Sequence, residues 1–217
     1  GGKPFIPRIE GADKEGVFTF TAFSDAERLA TRIESTKRAL VIGAGLIGVS
    51  VAEALAKRGL EVTMVEFKDK ILSLILDPTA SEIVENVIRK AGVKIVTGQT
   101  VQRILGKPED DRVVGGAVLT NGEQVPCDLV IIAIGVVPRM EIVAGTDVKT
   151  NRGIIVDRFM RTNVPDVYAS GDVTEAYDFI FNENRLLALW PLAHLEGRIA
   201  GYNMAGKKTD YPGGTSM

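Results

Sequence analysis

Two hydrophobic rhythms alternate along the first two-thirds of this chain. Short continuous apolar runs are separated by stretches in which apolar residues recur every three or four positions. Ala39-Leu40-Val41-Ile42 is such a run and reads as a strand buried on both faces. Ile47, Val51 and Leu55 follow at i, i+4 and i+8, which predicts a helix. Lys57-Arg58 complement its negative end, and Gly59 stops it. Glu61–Glu66 reads as a second strand. Asp77-Pro78 opens a second helix whose apolar line is Ile83, Val87 and Ile88, ending at Ala91-Gly92. Val93–Val96 is a third strand. The order β-α-β-α-β with short connections predicts a parallel sheet with right-handed crossovers.

The rhythm then changes. Val101–Leu105, Arg112–Leu119 and Gln124–Pro126 read as a small antiparallel meander with Asn121-Gly122 as a turn, and the very apolar strand Leu129–Ile134 ends in Gly135. Ahead of this core the first twenty residues are turn-rich. Ser24-Asp25-Ala26-Glu27 has the form of a capping box, which predicts a short helix from about Asp25 to Ser35. Beyond Pro138, Gly153–Asp157 and Val167–Ser170 are strand candidates. Leu192–Met204 carries Leu195, Ile199 and Met204 on a helical face, and the tail Tyr211–Met217 has turn chemistry with no closing element.

Composition narrows the functional classes. The 217 residues are 45% apolar and 25% charged, with 26 basic against 28 acidic side chains. A net charge of −2 gives no electrostatic footprint for nucleic acid or anionic lipid. The charge-free stretch Ala39–Ala52 is interrupted by glycines, so no membrane span is expected. With no signal peptide, the expected location is cytoplasmic. One cysteine excludes a disulfide framework and a cysteine-rich metal site, and no metal is expected. Glycine is abundant at 23 residues, which points to tight backbone turns near something bulky.

Gly43-Ala44-Gly45-Leu46-Ile47-Gly48 follows a buried strand and opens a helix, and the acidic Glu66 closes the next strand 23 positions after Gly43. That context makes GxGxxG a dinucleotide fingerprint of a Rossmann-like domain. Gly43 permits the tight turn, Gly45 lets the backbone approach a pyrophosphate, and Gly48 allows close helix–strand packing. Amides at the helix start, around Leu46 and Ile47, supply positive potential. Glu66 has the chemistry to accept both hydrogen bonds of an adenosine ribose diol and to repel a 2′-phosphate. NADH is therefore favoured over NADPH, although Lys68 and Lys70 stand close behind it. Gly135 gives a second point of backbone approach at a strand C-terminus.

The segments "AIGVVPR" and "TNVPDVYASGDV" together resemble the FAD-dependent pyridine nucleotide-disulfide oxidoreductase family, in particular its NADH oxidases, coenzyme A-disulfide reductases and rubredoxin reductases. The resemblance runs essentially end to end. It implies that Gly43, Gly45, Gly48 and Glu66 form the NAD site and that Gly135 borders the nucleotide. By the same resemblance Asp172 hydrogen-bonds the flavin ribityl chain, with Gly171 leaving room. Leu192 and Ala193 then begin the helix whose N-terminal amides face the flavin ring. Two departures stand out: the family often has Tyr after the second fingerprint glycine and Glu four residues later, where this chain has Leu46 and Ser50. His194, the only histidine, is either a proton donor at the flavin edge or a packed helix residue, and no catalytic residue is assigned.

The family's organisation implies a partial FAD-domain segment at 1–34, an NAD(P)-binding domain at 35–147 and a second partial FAD segment at 148–217. The chain then reads as the centre of a longer flavoprotein, missing an N-terminal FAD segment and a C-terminal dimer domain, with weak or no flavin binding of its own. The implied parent is a homo-oligomeric enzyme that passes hydride from NADH to FAD and on to a disulfide, persulfide, oxygen or a small redox protein. A rival from another class is an NAD(H)-binding module with no turnover.

Overall fold

A computed structural model describes residues 1–215. The chain forms two compact units: residues 4–135, and residues 1–3 together with everything from Val136 onward. After an opening strand β1 (Gly2–Pro4), the first unit runs β2 (Val17–Thr19), α1 (Phe23–Ile33), β3 (Arg38–Ile42), α2 (Leu46–Ala56), β4 (Glu61–Glu66), α3 (Pro78–Lys90) and β5 (Val93–Thr97). It ends with β6 (Val101–Gly106), β7 (Val114–Leu119), β8 (Gln124–Pro126) and β9 (Leu129–Ile132).

Strands β2-β9-β3-β4-β5 form one sheet in that order, and every pairing in it is parallel. Side chains alternate across a strand, so the sheet presents two faces. Ala39, Val41, Met64 and Ile131 face the helices, packing with Leu29 of α1, Val51 and Leu55 of α2, and Ile88 of α3. Leu40, Ile42, Val65 and Ile132 face the other way, against Ile104, Val114, Ala117 and Leu119 of the antiparallel sheet β6-β7-β8. Both faces are therefore dry, which is why these strands read as unbroken apolar runs. The expected Rossmann-like α/β architecture, a parallel sheet with an antiparallel meander, is what the chain adopts.

The second unit pairs β10 (Val136–Pro138) with β1 and builds a small sheet from β11 (Ile154–Ile155), β12 (Thr174–Asp178) and β13 (Glu183–Leu186). Helix α4 (Trp190–Met204) packs on it, with Ile199 and Ala200 meeting Ile154, Val156, Met160 and Tyr211.

Several local expectations are corrected. Helix α1 is capped at Ala22 instead of Ser24: the Asp25 carboxylate reaches back to the amides of Thr21 and Ala22 at 2.9 and 3.1 Å. Strand β2 lies where only turns were expected, because a three-residue edge strand leaves no pattern. Strand β9 ends at Ile132, two residues early. Val167–Ser170 is not a strand, only one bridge from Tyr168 to Arg161, while the polar strands β12 and β13 were not foreseen. On α4, Met204 is exposed and the buried stripe is Glu196, Ile199, Ala200 and Asn203. Part of the tail does close the unit. Tyr211 is fully buried: its amide donates to the Arg158 carbonyl and its carbonyl accepts from Arg158 Nε, whereas Ser216 and Met217 lie outside the described residues. Pairing of β2 with β9 draws most of residues 1–34 into the fingerprint unit, which ends at Gly135.

Helix α3 buries Ile88 as expected, but not Ile83 or Val87. Ile83 and Val87 are 63% and 60% exposed, while Ser81 and Ile88 are buried and Val84 is partly so. Ser81 donates from Oγ to the Ile71 carbonyl at 2.6 Å, so a serine occupies a core position without an orphaned hydroxyl. Ile88→Ala should cost about 2–4 kcal/mol and Ile83→Ala less than about 1 kcal/mol in urea unfolding. Equal costs would contradict this phase.

Candidate functional site

The glycine-rich turn is built by close approach. At Gly43 φ is +98°, and a Cβ there would lie 2.6 Å from the Ala133 carbonyl oxygen. A Cβ at Gly48 would run into the Gly43 carbonyl, so α2 lies against the end of β3 only because both residues lack one. Gly45 differs. It caps α2 with φ −76°, is exposed, and a Cβ added to it would meet nothing within 4 Å. No side chain caps this helix, so its first amides look outward with the positive end of the helix dipole. Leu46 is 60% exposed beside them, and Ile47 is half-buried.

Glu66, at the end of β4, completes the edge. Its Oε2 accepts from the Ala44 amide at 2.7 Å and its Oε1 from the Lys68 amide at 2.8 Å. The carboxylate thus braces the turn as well as facing it, a duty the sequence reading did not anticipate. A carboxylate has roughly four acceptor positions, so about two remain for a ligand's hydroxyls. Gly135 stands on the neighbouring strand's extension, exposed, with φ +120° and open space where a Cβ would be. Gly43, Gly45, Leu46, Ile47, Gly48, Glu66 and Gly135 are thereby gathered at the C-terminal edge of the parallel sheet, where ligands of open α/β sheets lie. Cavities of about 210 and 570 Å³ lie at the other end of the strands, around Arg38 and Glu61, and involve none of these residues.

Within the second unit, Gly171 has φ +81° and a Cβ there would touch Ala193 at 3.4 Å, placing the 170–172 turn on the first turn of α4. Asp172 is half-buried, and its carboxylate makes no hydrogen bond among the described residues. Leu192 and Ala193 are half-buried beside Gly171, and His194 is exposed and stacked on Trp190 at 5.8 Å. The sequence reading missed Glu196. It is 1% exposed and accepts the Gly171 amide at 2.7 Å. Its signal was present, since Glu196 falls in helical register with Ile199, Ala200 and Asn203.

Cys127 is a buried hydrophobe whose thiol is pushed up to about 12 by burial. Among the described residues no cluster of His, Cys, Asp or Glu could hold a metal ion, and no helix is long and apolar enough to cross a membrane.

The chain as a whole has known relatives. The family model described as pyridine nucleotide-disulphide oxidoreductase matches residues 1–197, and the chain belongs to that family. It is 36% identical to the NADH oxidase of Methanocaldococcus jannaschii over 97% of this chain and 47% of that protein. The structure of the NAD-dependent persulfide reductase from A. fulgidus matches with a TM-score of 0.92 at 36% identity, covering 98% of this chain and 39% of that one. The water-forming NADH oxidase of Lactobacillus brevis, solved bound to NADH, matches with a TM-score of 0.89 at 28% identity, covering 97% and 46%. The chain spans about half the length of the curated relatives it matches.

The turn geometry separates two glycine replacements. Gly48→Ala should lower the melting temperature by several degrees, as expected for roughly 1–3 kcal/mol of steric strain. Gly45→Ala should leave it within about 1–2 °C, since neither φ nor space opposes a methyl there. Calorimetry of both variants checks this, and equal losses would show that the turn is not built by close approach.

Proposed function

We propose that this chain is the nucleotide-binding part of an FAD-dependent NADH oxidoreductase, with Gly43, Gly45, Leu46, Ile47, Gly48, Glu66 and Gly135 holding NAD(H). The observation that carries the reading is the pairing of an open, uncapped helix start at Gly45 with the braced Glu66 carboxylate on the next strand. A pyrophosphate fits the first. Its charge is met by outward amides and the helix dipole, and no Cβ keeps it away. A ribose diol fits the second, because its hydroxyls donate and Glu66 retains free acceptor positions.

Preference for NADH over NADPH follows from charge. Removing a 2′-hydroxyl donor and adding a phosphate beside Glu66 replaces an attraction with a repulsion. Lys68 and Lys70, two and four residues after Glu66, would soften that repulsion without reversing it. The relatives named for NADH support the same choice.

Gly171, Asp172, Leu192 and Ala193 would hold the flavin's ribityl and ring end. The fit rests on the unpartnered Asp172 carboxylate, an acceptor for ribityl hydroxyls, and on the α4 start, whose dipole favours negative charge. When bound, FAD supplies acceptance of hydride from NADH and delivery of the electron pair to a disulfide, persulfide, oxygen or small redox protein. The chain's own residues bind and orient the nucleotide. Leu46 offers an apolar wall in place of a polar gate, and no ionisable side chain follows it until Glu53.

Titration by NADH and NADPH fluorescence tests the ribose contact. Glu66→Ala loosens the turn for both nucleotides alike, so their ratio isolates the diol. NADH affinity should fall about tenfold further than NADPH affinity, the size of a charge-assisted hydrogen bond. Equal losses would contradict the assignment.

A further inference from the structure

The 170–174 turn is held from beneath by a buried carboxyl. Glu196 Oε2 accepts the Gly171 amide at 2.7 Å and lies 3.0 Å from Thr174 Oγ1. Thr174 Oγ1 also lies 2.8 Å from the Gly171 carbonyl, and the Thr174 amide donates to that carbonyl at 2.8 Å. A hydroxyl has one proton to give, and here it faces two acceptors. Where it donates to Gly171, its contact with Glu196 needs a proton from the carboxyl. Burial pushes Glu196 up from the ordinary glutamate value and the Asp172 charge adds to it, while the hydrogen bonds from Gly171 and Thr174 pull the other way. Asp172 from the turn and the Tyr211 phenol from the tail face this carboxyl, with Asp178 and Arg158 acting on Tyr211. No ion pair to Glu196 occurs among the described residues.

We propose that Glu196 is the positioning residue for Asp172, clamping the Gly171–Thr174 turn onto α4 and so setting where the Asp172 carboxylate stands. This deepens the flavin reading and rests on it for its consequence. Glutamine at 196 would keep an oxygen that accepts from the Gly171 amide and from Thr174 Oγ1, whereas leucine would keep none. Glutamate alone makes the clamp sensitive to pH. Because its folded value is raised, the clamp is complete at low pH and weakens as pH rises through that value.

Hydrogen exchange of the Gly171 amide, expressed as protection corrected for the intrinsic rate, tests this on the full chain between pH 5 and 9. Protection in the wild type should fall about tenfold across that range, stay level in Glu196→Gln, and be lost about tenfold at low pH in Glu196→Leu, as for one buried hydrogen bond. Unchanged protection in Glu196→Leu, or a wild-type pH profile that Glu196→Gln reproduces, would overturn the proposal. Should Glu196→Leu not fold, the glutamine profile decides alone. Adding millimolar FAD to the wild type should move the Asp172 amide resonance. An unmoved Asp172 would contradict the flavin reading, while the exchange data separately decide the clamp.

Discussion

Everything at the candidate nucleotide site depends on how closely α2 approaches the end of β3. Gly48 lies against the Gly43 carbonyl, and Gly43 against Ala133, at separations that exclude a methyl group. That approach sets the helix start level with the sheet's C-terminal edge. It also brings the Ala44 amide within 2.7 Å of Glu66, so the same carboxylate that faces the edge locks the turn. With either glycine enlarged, helix and strand part, and the alignment of open amides with the carboxylate is lost. Gly45 is the exception: no protein atom needs its missing Cβ, so the space belongs to whatever lies outside.

The sheet itself is fixed by dryness on both sides. Helices cover one face and the antiparallel sheet β6-β7-β8 the other, leaving Leu40, Val41, Val130 and Ile131 with essentially no exposure. A rigid, fully buried sheet is a precise platform for an edge site, because the turns at its strand ends inherit positions the core has already settled. The second unit is built differently. Its core includes Thr174, Glu175, Asp178, Glu196 and Asn203, polar groups held by specific hydrogen bonds: Glu175 alone takes the amides of Arg152 and Gly153. Such networks fix loop geometry but leave little periodic trace.

That contrast explains what was legible. Strands buried on both faces announce themselves as apolar runs, and the glycine turn and Glu66 follow from their spacing, so the parallel sheet, the meander and the nucleotide edge could all be read from residues. Short and polar elements could not. Val17–Thr19 has three residues and an edge position, and Thr174–Asp178 looks like a loop because its inward groups include Glu175 and Asp178. On α3 Ile88 was read correctly but Ile83 and Val87 were not, because Ser81, a polar residue, takes a core position by bonding to Ile71 while those two stay in water. Glu66's second duty and Glu196's clamp are contacts between distant segments, visible only once the chain is folded.

The α2 start is where NADH must bind. Amide resonances of the ¹⁵N-labelled chain, followed during an NADH titration, test it most directly. Saturable shifts centred on Gly45, Leu46 and Ile47, with Glu66 and Gly135 moving in step, are the predicted result. Saturable binding that leaves those amides still, or that moves only residues at the opposite strand ends around Arg38 and Glu61, would contradict it.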